Sequence, residues 1–535
     1  MRYRRLFLIP IASLCCLLLA LLIPYLLPLL HLKSEGSITM QARPLFKRIR
    51  IENNADINRL YPLILEYLRE PDRALSVEEV VITKVVSSYH LGALTHAQNA
   101  VLEREQARDV TAETGLIQLV SELGIPYVDM NRWVRSLTWM APEVLETRAN
   151  VTDSYGAPAS FDEQDSLFAH YAALMLLSLC PNIINLTVRD PGYKSPISNI
   201  LLYNNYDKLS KQLLPNLKHV SILPTDELLI SDERFYTTMD FLGHFRRFHR
   251  LSSIESIDVA AITEDGGGTD WMLHPPRTAN FSTISIAHSD LSSTFLAALI
   301  GAPKSLRKFS MSVGGRAAQG GGQSAMSLTE LGKALATQKE TLQTLDLDID
   351  DYILDSRHDR PDIDYEDDRL EYHSEDEWFQ LDLEDSQGPI FMSRVQATRE
   401  YTWTMGSLHD FAALTHLSIG VKALLDVAEQ RYDVASDTMI HVTPEAPFRL
   451  VDALPMSLES LTIRGYTPGE NDVYDGQIAE LLAAREVKLP RLLRLLGVHG
   501  DTIPSSKMVE DPDGASEQCG ILWAPEERET DWLEV

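Results

Sequence analysis

An apolar residue followed three and then two positions later by two more recurs eight times along the chain: Ile183/Leu186/Val188, Leu217/Val220/Ile222, Ile254/Ile257/Val259, Phe281/Ile284/Ile286, Leu306/Phe309/Met311, Leu342/Leu345/Leu347, Leu414/Leu417/Ile419 and Leu458/Leu461/Ile463. Residues two apart share one face of a strand, so each copy predicts a short strand with one apolar face. A single such strand cannot bury that face, and the copies must stack side by side. Helical patterns precede the strands, at 167–179, 201–214 and 236–248, and Ser327-Leu-Thr-Glu330 is a capping box opening a helix over 327–339 with Leu328/Leu331/Leu335 as its stripe. Strands alternating with helices on this scale lie parallel.

The expected fold class is therefore α/β: an irregular leucine-rich-repeat solenoid, a parallel curved sheet with helices on its convex side. Val77/Val80/Ile82 predicts a first strand, and Leu492/Leu495 after the helix Ile478/Leu481/Leu482 a degenerate last one. Between Leu91 and Leu145 the period is helical, as in Leu116/Leu119/Val120/Leu123 and Trp133/Leu137/Met140. The strand copies start 34, 37, 27, 25, 36, 72 and 44 residues apart. Those intervals are longer and less even than the roughly 20–29 of ordinary leucine-rich repeats. The asparagine usual after the third apolar position is missing from every copy. The expected organisation is a membrane segment over 1–32, a linker over 33–56, the repeat body over 57–500 with a helical insertion at 91–147 and an acidic one at 350–389, and an acidic tail over 501–535.

The N-terminal run changes the picture. From Leu6 to Leu32 there is no Asp, Glu, Lys or Arg, and Arg2, Arg4 and Arg5 precede it. That length crosses about 30 Å of hydrocarbon as a helix. It predicts a single-pass membrane protein tethered through residues 6–32 with a cytosolic body; if the run is not a span, the expectation is a soluble cytoplasmic or nuclear protein. Three glycosylation sequons begin at Asn150, Asn185 and Asn280 and carry meaning only for a lumenal body.

Charge narrows the partners. A formal net charge of −29 over 535 residues argues against nucleic acid, whose binding rests on Lys and Arg neutralising phosphates. Between Asp346 and Asp385 lie 18 acidic residues against Arg357, Arg360 and Arg369, predicting a solvated insertion with Trp378 and Phe379 as docking anchors. Its acidic runs lack the glycine of a calcium loop. The glycine clusters at 266–268 and 314–320 lack the Gly-Lys-Ser/Thr ending of a phosphate loop. Four cysteines, two of them within the N-terminal run, make neither a disulfide framework nor a zinc pattern. No nucleophile or metal-protease motif occurs. The expectation is a non-enzymatic chain without cofactor or metal.

If the apolar positions point inward, the residues between them line the concave face. The central column is then Thr187, Ser221, Asp258, Ser285, Ser310, Asp346, Ser418 and Thr462, flanked by a column that includes His219 and His416. All eight central residues are small hydroxyls or aspartates, which suits a shallow hydrogen-bonding groove for a protein partner.

The segment Ala42-Arg-Pro-Leu-Phe-Lys-Arg-Ile-Arg-Ile51, the helix beginning Leu60-Tyr-Pro-Leu, Cys180-Pro-Asn-Ile183, and Leu458-Glu-Ser-Leu-Thr-Ile463 before Asp475-Gly-Gln-Ile-Ala-Glu-Leu-Leu482 together resemble divergent fungal F-box and leucine-rich-repeat proteins. The likeness spans about residues 40–500 in pattern. It implies that the sheet holds a substrate for a cullin-RING ubiquitin ligase, and that a box ending near Ile51 docks on the ligase adaptor. The apolar run stands where the start of that box belongs, so the resemblance implies a box that is missing or degraded.

Overall fold

The computed structural model describes residues 45–52, 54–83, 110–125, 133, 137, 161–189, 195–223, 235–239, 241–264, 275–317, 326–353, 382, 405–425, 430–433, 438–441, 448–499, 502–506 and 532–535. Sixteen strands are β1 (Phe46–Ile51), β2 (Glu79–Ile82), β3 (Asn185–Arg189), β4 (His219–Leu223), β5 (Thr237–Met239), β6 (Ser256–Ala260), β7 (Ile262–Glu264), β8 (Thr283–Ala287), β9 (Lys308–Ser312), β10 (Thr344–Asp348), β11 (His416–Gly420), β12 (Gln430–Asp433), β13 (Thr438–His441), β14 (Ser460–Arg464), β15 (Arg494–Leu496) and β16 (Leu533–Glu534). The helices among the described residues are α1 (Asn54–Arg69), α2 (Pro71–Ala74), α3 (Val110–Glu122), α4 (Phe161–Leu179), α5 (Pro196–Asn205), α6 (Phe241–Phe245), α7 (Ser293–Gly301), α8 (Leu328–Ala336), α9 (Val421–Leu425), α10 (Leu450–Ala453) and α11 (Asp472–Lys488).

Twelve strands form one sheet in the order β15-β14-β11-β10-β9-β8-β6-β4-β3-β2-β1-β16, and every pairing but the last, β1 with β16, is parallel. The architecture is a mixed α/β fold built on a large, mostly parallel sheet. Each of the eight apolar copies forms a strand, and their register is unbroken: Leu186, Val220, Ile257, Ile284, Phe309, Leu345, Leu417 and Leu461 stand side by side. These residues join one apolar core with buried helix residues such as Phe168, Phe295 and Leu331. A parallel pair needs a crossover, and the helices between strands supply it.

Turn residues satisfy the backbone where helix passes into strand. Gln338, 3% exposed, donates through Nε2 to the carbonyls of Ile300 (3.0 Å) and Pro303 (3.1 Å) and accepts the Leu306 N–H at 3.1 Å. One amide thereby closes three buried backbone groups that would otherwise be left unpaired. The capping box at α8 forms only by half. Ser327 Oγ accepts the Glu330 N–H at 3.3 Å, but Glu330 turns its carboxylate to Ser293 Oγ (2.7 Å) and Thr294 Oγ1 (3.0 Å), and Ser293 Oγ takes the Ser327 N–H instead. The box has been exchanged for a bond between α7 and α8.

Several expectations are corrected. Residues 1–44, with the apolar run 6–32, lie outside the described residues, and among those described no helix is long and apolar enough to cross a membrane. The longest, α4 with 19 residues, opens on Asp162, Glu163 and Asp165, which a hydrocarbon interior would penalise. The tether, the single-pass location and the fold class that included them are therefore withdrawn, and the architecture stands as the mixed α/β sheet fold above. Among the described residues a strand, β1, precedes the one at 79–82, so the stretch 33–56 contains part of the sheet. Inside 91–147, α3 is present and Trp133 and Leu137 are buried; Met140 lies outside the described residues. The acidic insertion keeps a 3-10 turn at Asp350–Tyr352 and a buried Asp382, while Trp378 and Phe379 lie outside the described residues.

Candidate functional site

Alternation carries the residues between the apolar positions to the opposite face of the sheet. Thr187, Ser221, Asp258, Ser285, Ser310, Asp346, Ser418 and Thr462 occupy successive strands in strict register. Beside them run Asn185, His219, Ser256, Thr283, Lys308, Thr344, His416 and Ser460. With strands about 4.8 Å apart, eight of them give a polar column about 34 Å long, the length of roughly ten residues of extended chain. Ser221 is buried and the other seven central residues are partly exposed, whereas His219 and His416 are exposed.

Bonds within this face fix its side chains. Ser221 Oγ donates to the Asp258 carboxylate, His219 Nδ1 lies 2.7 Å from Ser256 Oγ, and His416 Nδ1 lies 2.8 Å from Thr415 Oγ1. Arg464, at the end of β14, reaches across β11 to β10: its Nε donates to Ser418 Oγ at 3.1 Å and its terminal nitrogens lie 3.4 Å from Asp346 and 3.9 Å from Asp348. Asp348, buried at that edge, accepts the Ser506 N–H (3.0 Å) and hydroxyl (2.7 Å). Residues 502–506 thus close over the ends of β10 and β14, where Gly465 N–H also bonds the Ile503 carbonyl at 2.8 Å. Within the stretch from Thr187 to Ser310, all central residues but Ser221 stay partly exposed.

Arg464, Asp348 and Ser506 were missed by the sequence reading. Extending the alternation two residues past each central position reaches Asp348 and Arg464; no local signal reaches Ser506. Sequon Asn185 sits within β3, and Asn280 donates through Nδ2 to the Arg250 carbonyl at 2.6 Å, so neither stands on a free loop; Asn150 lies outside the described residues.

Titratable groups gather at two further places. Beyond the strand ends, Tyr236, Glu264, His288, Asp290 and Tyr352 lie close together: burial raises the pKa of Glu264 and of both phenols and lowers that of His288. Their bonds are structural, since Ser292 Oγ donates to Glu264 at 2.9 Å while also capping α7, and the Tyr236 hydroxyl accepts the Gly314 N–H at 3.1 Å. Among the helices, fully buried Asp382 receives the Tyr206 hydroxyl (2.6 Å), Arg250 (3.0 Å) and His249 Nε2 (3.1 Å). One carboxylate of the acidic insertion is thus locked among the turns preceding β4 and β6.

Among the described residues no group of three or more His, Cys, Asp or Glu could hold a metal ion. Cys180 is buried, and burial pushes its thiol pKa up, which keeps it protonated and unreactive. The polar column is an extended arrangement of chemically similar side chains, and hydrogen bonding is what it can do. In comparison with known proteins, no family model, no curated relative and no solved structure matches the chain.

Proposed function

We propose that the chain is a non-enzymatic protein receptor that holds an extended segment of its partner along the polar face of the sheet, and that it serves as the substrate receptor of a cullin-RING ubiquitin ligase. The observation that carries the binding reading is the in-register column from Thr187 to Ser310, short hydroxyls and one aspartate, on neighbouring strands with no large side chain in the column. Small side chains let a partner's backbone approach the sheet, and short hydroxyl side chains offer donors and acceptors with little rotamer entropy to lose. The chain's negative charge favours a neutral or basic segment and disfavours nucleic acid. The ligase role rests on the resemblance of the segments at 42–51, 60–63, 180–183 and 458–482.

The test replaces Asp258 and Ser310 with arginine in one variant. Both side chains are partly exposed on the polar face, so unchanged circular dichroism is expected, with a modestly lower melting temperature where Ser221 loses its acceptor, together with loss of the proteins captured from cells by the wild-type chain. An unchanged set of captured proteins sinks the binding site. Co-purification of the cullin adaptor with both forms is the expected sign of the ligase role, and its absence from both removes that role while leaving the groove intact.

A further inference from the structure

Among the described residues, the outer edge of β1 is covered by β16 alone. β16 pairs with it antiparallel, Leu533 opposite Arg48 and Glu534 opposite Phe46 with an irregularity between, and the Val535 N–H adds a bond to the Leu45 carbonyl at 2.8 Å. The side chains of Leu533, Glu534 and Val535 stay exposed. Among the described residues, Trp532 supplies the side-chain attachment.

Three groups from two elements receive that tryptophan. Phe46 meets the indole edge to face, with centroids 4.9 Å apart at 78°. The Arg59 guanidinium lies 3.9 Å over the ring, and Asp56 Oδ1 accepts the indole N–H at 3.0 Å. Asp56 is held independently of the tail, because its Oδ2 accepts from Arg50 Nε (3.3 Å) and from the Glu52 N–H (3.1 Å). The cage is therefore organised by β1 and α1 themselves, in a form suited to one aromatic anchor beside an open strand edge. Backbone pairing for affinity with a single side-chain pocket for specificity is how strand-addition sites recognise peptides. A parallel sheet with such an edge uncovered would also be exposed to indiscriminate pairing, which a resident strand prevents.

We propose that the β1 edge and the cage of Phe46, Asp56 and Arg59 form a second protein-binding site, separate from the polar face, for an extended segment that pairs by its backbone and inserts one tryptophan. Residues 532–535 occupy it in cis, and a partner with the same chemistry displaces them. The tethered tail acts at an effective concentration in the millimolar range, so a partner must bind tightly or in several places to replace it.

The probe is a fluorescein-labelled peptide of residues 529–535, Glu-Thr-Asp-Trp-Leu-Glu-Val, read by anisotropy against the full chain and a form ending at Asp531. The shortened form is expected to bind saturably, the full chain at least tenfold more weakly, and a peptide with alanine for tryptophan at least tenfold more weakly than the parent. Arg59→Glu in the shortened form should abolish binding. A folded shortened form that ignores the peptide, or takes the alanine peptide equally well, reduces residues 532–535 to a closing strand and overturns the proposal. Should the shortened form fail to fold, Trp532→Ala in the full chain empties the cage while keeping the strand; a gain in peptide binding over wild type supports the site, and no gain refutes it.

Discussion

Asp350 should make the protein more stable as the pH falls, against the usual behaviour of a carboxylate. Its side chain lies at the end of β10, accepting the N–H groups of Lys422 and Ala423 at 3.0 Å each, beside the Cα of Gly420, where a Cβ would overlap the carboxylate. Burial pushes its pKa up to about 6, against the opposing effect of the two N–H groups and Lys422, and the neighbouring Asp348 adds to the rise. The folded state therefore holds this proton more tightly than the unfolded chain, whose value is 3.8. Stability then rises as the pH drops through 6 and levels off below 3.8. The linkage between those two values gives about 2.5 kcal/mol gained between pH 7.5 and pH 4. Asp350→Asn carries no proton to exchange, and its amide nitrogen cannot accept one of the two N–H bonds, which costs about 1–3 kcal/mol at every pH. Urea unfolding of both forms at pH 4, 5, 6 and 7.5 isolates the term: the wild type should exceed the variant by about 2.5 kcal/mol more at pH 4 than at pH 7.5. A pH-independent difference would refute the burial argument, and one that shrinks toward acid would reverse its sign.

Other residues test the same reasoning. His170, buried on α4 with its pKa lowered to about 4 by desolvation, should oppose Asp350: the unfolded chain takes up the proton first, so stability falls from pH 6.5 toward 4, by about 3 kcal/mol at pH 4, and His170→Leu should remove that slope in the same urea series. Gly332→Ala would ordinarily strengthen α8 by about 1 kcal/mol, but its Cβ would overlap the Met405 carbonyl, so a lower melting temperature is expected and a higher one refutes the close approach. Trp133→Ala deletes a fully buried indole that stacks on Tyr171 at 5.7 Å and bonds its carbonyl at 3.1 Å, for an expected loss of about 3–5 kcal/mol in urea unfolding; a loss under 1 would place Trp133 outside the core.

What could be read in advance follows the range of the forces involved. Period-two apolar spacing is local, and it located eight strands together with the parity that puts Thr187, Asp258 and Ser310 on one face. Β1 carries the same spacing in Phe46/Ile49/Ile51 and was readable in principle, but the family resemblance drew that segment into a box instead. The hydrophobic run at 6–32 invited a membrane reading because length and lack of charge are also local properties. Residues joined over long separations left no such trace. Tyr206 and Asp382 are 176 positions apart, Asp348 and Ser506 are 158 apart, and nothing in the sequence near either partner announces the other. The short β5–β7 pair escaped for a different reason: three-residue strands are too brief for a period to show.

Most neighbours in the large sheet are consecutive along the sheet strands, so folding can proceed by adding one strand after another with modest loop-closure cost. An array joined only in that manner would tend to unravel from either end, each unit leaving separately. The bond from Trp532, just before β16, to Asp56 of α1 spans 476 positions and adds a closure of another kind. Its consequence is kinetic: this contact forms only after both segments exist, and once made it ties the loss of either segment to the other. Force applied across β1 and β16 should then have to part that pair before the sheet unravels, and their separation sets the force at which unravelling begins.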